Sequence, residues 1–218
     1  MYRRLVFIAL LVLVYNVASA HTINYELDRV EDSQLFSTYL IEGFKHIIPL
    51  GLDHILFILC VFFLNTNLKK IILQASIFTL AHSITLALAV YGYINPPSNI
   101  VEPIIALSIV FLAIENVFFQ QVKPWRIILI FIFGLVHGMG FAGALDELGM
   151  PRYSFATALV GFNLGVELGQ LSIILIMYFL TFYFSKKTTW YRKAIVIPAN
   201  VLIAIVAAYW TIERIFIQ

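Results

Sequence analysis

A succession of long apolar stretches is the feature that most limits what this chain can fold into. Backbone groups in lipid must satisfy their hydrogen bonds internally, so stretches of about 20 apolar residues predict transmembrane helices. The composition agrees, because 61% of the 218 residues are hydrophobic and only 12% are charged, against about 25% charged in soluble domains. The sequence therefore predicts an all-α polytopic membrane helix bundle with six transmembrane helices. A pre-helix is expected at 35–45 and the spans at 46–65, 69–92, 100–120, 125–146, 154–184 and 191–214.

The N-terminus has the pattern of a secretory signal. Arg3 and Arg4 precede an apolar stretch, and Ala18-Ser19-Ala20 fits the small-x-small rule for cleavage. An uncleaved first helix is the alternative, and in both cases His21 emerges on the outer side. The predicted division is a signal peptide at 1–20, a short periplasmic segment with the pre-helix at 21–45, and the transmembrane domain at 46–218.

The distribution of charge predicts the orientation. The loops 65–70, 120–126 and 185–193 carry basic residues and no Asp or Glu, which is the pattern of cytoplasmic loops. These basic residues are Lys69, Lys70, Lys123, Arg126, Lys186, Lys187, Arg192 and Lys193. We therefore expect a multi-pass protein of a bacterial inner membrane, with its mature N-terminus outside.

Ionisable residues inside the predicted spans indicate function, because a charge in lipid costs at least about 2.5 kcal/mol at mid-helix. Counting residues from the span ends predicts a common depth, in the outer half of the bilayer, for five of them. These are Asp53, His54, His82, His137 and Glu167. His46 is expected above this layer at the outer mouth, and a mild kink at Pro49 would put it on the same helix face as Asp53. Glu115 is expected in the inner half.

Imidazole nitrogens and carboxylate oxygens, without thiolate sulfur, are typical ligands of Zn, Ni or Co. The predicted metal ligands are His46, Asp53, His54, His82, His137 and Glu167. Groups that would orient these ligands are Ser83, Thr85, Asn163 and Gln170. Glu115 and Asn116 are the candidates for an inner relay. The alternative is a purely structural polar network, and the glycines Gly161, Gly165 and Gly169 are expected to serve helix packing.

Four blocks in this order closely resemble the HupE/UreJ family of bacterial membrane proteins. They are HIIPLGLDH from His46, AHSITL from Ala81, FGLVHGMGFA from Phe133 and FNLGVELGQ from Phe162. The resemblance implies six or seven spans and permeation of nickel or cobalt, linked to hydrogenase or urease maturation. It implies metal handling by His46, Asp53, His54 and His137, whereas His82 and Glu167 belong to blocks of one branch. An exported or metallocentre-assembly partner is implied as well.

Three functions remain open from the sequence. The favoured one is a permease that carries a divalent metal of the nickel or cobalt type through the lipid bilayer. The second is an intramembrane zinc hydrolase acting on a lipid or membrane peptide, with Asp53 or Glu167 as general base. The third is a non-catalytic membrane subunit or metal sensor. The chain has no basic patch for nucleic acid.

Overall fold

The computed structural model describes residues 31–64, 67–141, 154–185 and 188–217, and within these ranges it contains helices and no strand. The signal peptide predicted at 1–20 lies outside the described residues. The helices are α1 Asp32–Ile47, α2 Leu52–Phe63, α3 Leu68–Val90, α4 Ser98–Phe118, α5 Arg126–Gly140, α6 Phe155–Ser185, α7 Thr188–Tyr191 and α8 Ile197–Phe216, with a π-helical turn Arg192–Val196 between the last two.

The predicted all-α membrane bundle is confirmed. Four helical segments are long and apolar enough to cross a membrane, namely α3, α4, α6 and the segment from Thr189 to Phe216. Helices α1 and α2 are long and apolar enough to cross a membrane only as a pair, which brings the number of candidate spans to as many as five. Helix α5 is apolar but has 15 residues, fewer than the roughly 20 that a span requires. The last part of its predicted span, 142–146, lies outside the described residues.

The first predicted span is broken. Helix α1 continues to Ile47 and α2 begins at Leu52, with a bend of 70° between them. The expected boundary at residue 46 therefore falls inside α1, and the bend is too sharp to meet the condition of a mild kink under which His46 and Asp53 would share a helix face. Pro49 cannot donate a backbone hydrogen bond. A Cβ at Gly51 would overlap the backbone carbonyl oxygen of His46. The break leaves His46 at the end of one helix, with Asp53 at the start of the next.

Glycines hold α1 directly against α6, and the two helices run parallel. Gly161 faces Phe36, Gly165 faces Leu40, and Gly169 faces Ile47 so closely that an added Cβ would overlap in each case. The prediction that these glycines serve packing is confirmed. At the start of both helices, the Ser154 hydroxyl donates a hydrogen bond of 2.8 Å to the Asp32 carboxylate. We call this side of the bundle the Asp32 end, and the side where α2 stops the Phe63 end.

The remaining helices pack around α2. Helices α3 and α5 are parallel, because Gly134 packs on Phe78 and Gly138 packs on His82. Helices α4 and α8 are antiparallel and pack along their lengths. Helix α2 contacts α1, α3, α4, α6 and α8. Its central position places His54 and Phe57 in the middle of the bundle, where both are buried.

Arg126 lies inside the bundle near the Phe63 end. It was predicted to be a charge of a cytoplasmic loop, and this was wrong, because its side chain is 0% exposed. Its guanidinium pairs with the Glu115 carboxylate and donates hydrogen bonds to Asn116 Oδ1 at 3.2 Å, Gln74 Oε1 at 3.2 Å and the Cys60 carbonyl at 3.1 Å. This one side chain therefore connects α5 to α2, α3 and α4.

Replacing Gly165 with Ala should destabilise the bundle, because the added methyl group would press on the backbone of Leu40 and Phe44. We expect a loss of about 1–3 kcal/mol, the usual cost of overpacking, measured as a lower thermal unfolding temperature in detergent. The neighbouring change Leu164→Ala is the control, since Leu164 is 44% exposed. Equal unfolding temperatures for the two variants would contradict the packing described here.

Replacing Arg126 with Met should be more severe, since it leaves the buried Glu115 carboxylate without its cation. Breaking a buried ion pair on one side costs about 3–5 kcal/mol, whereas replacing both partners costs far less. The double variant Arg126→Met/Glu115→Gln should therefore unfold at a higher temperature than Arg126→Met alone. If the double variant is no more stable than the single one, the ion pair is not the dominant interaction of Arg126.

Candidate metal centre

Four histidines converge where the first span is broken. His46 ends α1, His54 begins α2, His82 lies on α3 and His137 lies on α5. The ring centroid of His54 is 4.6 Å from that of His46, 5.7 Å from that of His82 and 5.2 Å from that of His137. The His46 and His82 centroids are 5.8 Å apart. His54 is therefore the central member of the cluster.

His46 is a full member of this cluster. The prediction that it lies above the other histidines at the mouth was wrong. It assumed that the membrane span begins at residue 46. In the structure α1 enters the bundle from Asp32 and brings His46 about 21 Å along its axis. The ring of His46 also packs against Phe141 and Phe162, at centroid distances of 3.9 and 5.5 Å.

The histidine nitrogens are buried and largely without hydrogen-bond partners. The exposed fractions of His54, His82 and His137 are 3%, 0% and 1%. Within the described part of the chain, five ring nitrogens lack a partner: Nε2 of His46, Nε2 of His54, both nitrogens of His82 and Nδ1 of His137. A buried polar atom without a partner costs about 1–3 kcal/mol. Neutral imidazole nitrogens in this situation fit the requirements of metal ligands.

The ligand atoms form two groups that share His54. One group is His46, His54 and His82, and the other is Asp53, His54 and His137, with the ligand atoms of each group within 4.8 Å of one another. Ligands about 2.1 Å from one ion lie within about 4.2 Å of one another. Small side-chain shifts therefore suffice for either group to surround an ion.

Two hydrogen bonds orient the central rings. The Asp53 carboxylate lies 3.0 Å from Nδ1 of His54, and the Ser108 hydroxyl lies 3.1 Å from Nε2 of His137. A carboxylate or hydroxyl on one ring nitrogen fixes the ring and leaves the other nitrogen for a metal. Ser108 was missed by the sequence analysis. Its signal was its depth, because its hydroxyl lies eight residues after Ile100, where the predicted span begins.

Within the described part of the chain, none of the hydrogen bonds of the four residues predicted to orient ligands goes to a histidine or to Asp53. Their bonds lie within the helix packing, as serine and threonine often bond the carbonyl four residues earlier, while Asn163 Oδ1 and Gln170 Nε2 are buried without a partner among the described residues. Ser83 donates to the Thr79 carbonyl, Thr85 to the Leu135 carbonyl and Asn163 to the Leu159 carbonyl, while Gln170 accepts from the Thr79 hydroxyl. Counting residues estimated how deep these side chains lie in the bundle. It could not tell toward which neighbouring helix each side chain points.

Glu167 belongs to neither histidine group. Its carboxylate accepts a hydrogen bond of 2.6 Å from the Ser76 hydroxyl. Ser76 is six residues before His82 on α3, or about 9 Å nearer the Phe63 end. The structure therefore separates Glu167 from the predicted ligand set.

The predicted inner relay also contains the guanidinium of Arg126, which the sequence analysis had placed in a loop. Glu115 is paired with Arg126, and Asn116 donates hydrogen bonds of 2.7 Å to the Cys60 carbonyl and to Asn200 Oδ1. These groups are engaged with one another, and the guanidinium charge repels a metal cation. The arrangement fits a closed structural network.

A cavity of about 220 Å³ leads to the histidine cluster from the Asp32 end. Its lining includes two charged residues near helix ends, Glu102 of α4 and Arg214 of α8. His82 is absent from the lining and lies behind the other ligands. The lining residues are His46, Asp53, His54, Glu102, Ile105, His137, Gly140, Phe141 and Arg214.

No curated protein and no solved structure matches the chain. The model of the HupE / UreJ protein family matches residues 7–214, a family of membrane proteins linked to nickel or cobalt handling. The match spans nearly the whole sequence and includes every helix that contributes to the histidine cluster. The chain therefore belongs to the HupE/UreJ family.

Proposed function

We propose that this protein is a permease for a divalent transition metal of the nickel or cobalt type. The observation that carries the proposal is the set of buried, unpartnered imidazole nitrogens at the break of the first span. His82 binds the ion at the inner part of the site, behind the cavity. His46, Asp53, His54 and His137 contribute from the side that lines the cavity.

The broken helix supports transport. In secondary transporters, substrate sites typically lie where membrane helices are discontinuous, because unwound backbone and side chains on both sides of the break reach the ion. Non-helical backbone at membrane depth is tolerated where it is enclosed by protein or lines a cavity. Here the segment Ile48–Gly51 separates His46 from Asp53 and His54, and all three line the cavity.

The two sides of the site differ. The charge pattern of the loops supports a cytoplasmic position for the Phe63 end, so the cavity faces outward in a bacterial inner membrane, with the mature N-terminus outside. Toward the cytoplasm, the rings of Phe57 and Phe78 pack at a centroid distance of 4.5 Å, and the Arg126 network lies beyond them. We interpret the structure as a state that is open outward and closed inward. A metallocentre-assembly partner would receive the ion inside.

The ligand chemistry restricts the metal. The site offers imidazole nitrogens and a carboxylate, and the single cysteine is not part of it. Such ligands favour Ni²⁺, Co²⁺ or Zn²⁺ over Cu⁺, which prefers sulfur. Family membership supports nickel or cobalt among these ions.

One observation favours an intramembrane zinc hydrolase as the second candidate. Three histidines with an adjacent carboxylate and a cavity resemble the open site of a catalytic zinc, in which bound water is activated and a carboxylate acts as base. Asp53 is the only carboxylate in the two ligand groups of the described residues, so it would be this base. Glu167 is in neither group and accepts a hydrogen bond from Ser76, so the structure gives no support to it in that role.

Metal binding tests the site itself. We expect purified wild-type protein to bind Ni²⁺ or Co²⁺, and His54→Ala to lower the affinity by more than about 100-fold, because orienting residues alone are worth 10- to 100-fold. Isothermal titration calorimetry in detergent measures both. Glu167→Gln is the matched control and should bind as the wild type does, since Glu167 pairs with Ser76. Equal losses in both variants would contradict the proposed ligand set.

Uptake into proteoliposomes separates transport from catalysis. The wild type should accumulate Ni²⁺ or Co²⁺ inside the vesicles, followed by quenching of an enclosed metal-sensitive dye. Asp53→Asn should reduce the initial rate about 10- to 100-fold, because His54 loses its orienting carboxylate. If instead one zinc ion per chain stays bound without exchange, and no ion crosses the membrane, the permease is refuted in favour of the hydrolase.

A further inference from the structure

We propose that Arg214 and Glu102 form a charged entrance that controls how fast cations reach the histidine cluster. The inference rests on the proposed function, since it concerns the approach to the same metal site. It assigns a role to two residues on α4 and α8, neither of which contributes a histidine to the cluster.

The pair is held at the mouth of the cavity by several contacts. Arg214 Nη1 donates a hydrogen bond of 3.1 Å to the backbone carbonyl of Glu102, and Arg214 Nε lies 3.8 Å from the Glu102 carboxylate. The guanidinium carbon is also 5.7 Å from the centre of the Trp210 ring, a cation–π distance. Arg214 is therefore fixed in position by α4 and by its own helix.

Both side chains line the cavity that contains Asp53, His54 and His137. The cavity is only about 220 Å³, so an ion that enters it passes close to the guanidinium and the Glu102 carboxylate. At the far end it meets Asp53, His54 and His137, the ligand group of which every member lines the cavity. The entrance and the first ligands thus share one small space.

The charges in this space act in opposite directions on an incoming cation. Glu102 and Asp53 attract it, and Arg214 repels it. Charges within a narrow cleft with low-dielectric walls change association rates by 10- to 1,000-fold, and arginines in membrane pores repel cations in the same way. A fixed guanidinium beside a metal site therefore slows loading, while Glu102 both positions the guanidinium and draws cations in.

Association of Co²⁺ with the full-length protein in detergent measures this role. Binding to imidazole changes the visible d–d absorption of Co²⁺, which stopped-flow mixing follows in time. We expect Arg214→Gln to raise the association rate about tenfold. Arg214→Lys keeps the positive charge and should associate almost as slowly as the wild type, whereas Glu102→Gln should associate more slowly than the wild type. If Arg214 and Glu102 only supported the fold, Arg214→Gln and Glu102→Gln would change the association rate in the same direction.

Lys193→Gln is the matched control. It removes the same charge from an exposed residue near the Phe63 end, so the association rate should equal that of the wild type. Raising the ionic strength should shrink the differences between the Arg214 and Glu102 variants, because their action on a cation that is still in solution is screened over about 10 Å at 0.1 M salt. Elution from a size-exclusion column and the final Co²⁺ absorption verify that each variant is folded.

Two negative outcomes of this experiment can be told apart. If the wild type gives no Co²⁺ signal at equilibrium, the metal site itself is refuted, and the proposed function with it. If the wild type binds Co²⁺ but Arg214→Gln associates at the wild-type rate, the metal site stands and the charged entrance is refuted. The entrance is also refuted if Arg214→Lys accelerates binding as much as Arg214→Gln, because space and not charge would then limit entry.

Discussion

The close backbone contact between α1 and α6 determines where the rest of the site lies. Glycines on α6 let α1 approach so closely that it enters the bundle alongside a full membrane span. A helix that enters in this way reaches mid-bundle at Ile47, and there the chain turns by 70° before α2 continues toward the Phe63 end. The break, which contains Pro49, thus falls where the segment packed against α6 ends. It brings both chain segments around the break onto one cluster of histidines.

The sequence predicted the class of fold and most of the cluster, for physical reasons that can be named. Apolar length and loop charge are properties of the sequence itself, so the helices of the bundle follow from them. Counting residues along a helix estimates depth, and depth was enough to select His54, His82 and His137. Depth does not give the direction around the helix axis. For Glu167 the count itself was wrong, because its carboxylate faces Ser76, about 9 Å nearer the Phe63 end than His82.

The other errors have a common cause, which is that partners from distant segments decide where a polar residue lies. Arg126 stands next to a loop signal, Lys123-Pro124, and nothing local indicates that Glu115 and Gln74 will enclose it. Ser108 carries no motif, and only the approach of α5 gives it His137 as a partner. His46 was misplaced because a proline and a glycine signal a kink without its angle. In each case the missing information is the relative position of two helices.

Helix α2 physically connects the two polar layers of the bundle. His54 stands in its first turn at the histidine cluster, and the Cys60 carbonyl, about 9 Å further along the axis, accepts hydrogen bonds from Arg126 and Asn116. A shift of α2 that moves the His54 ring would therefore also move a hydrogen-bond acceptor of the Arg126 network. In the proposed permease, α2 would therefore link the candidate ligand His54 to the network at the Phe63 end, and a helix that begins at a break is typical of transporters that work by alternating access.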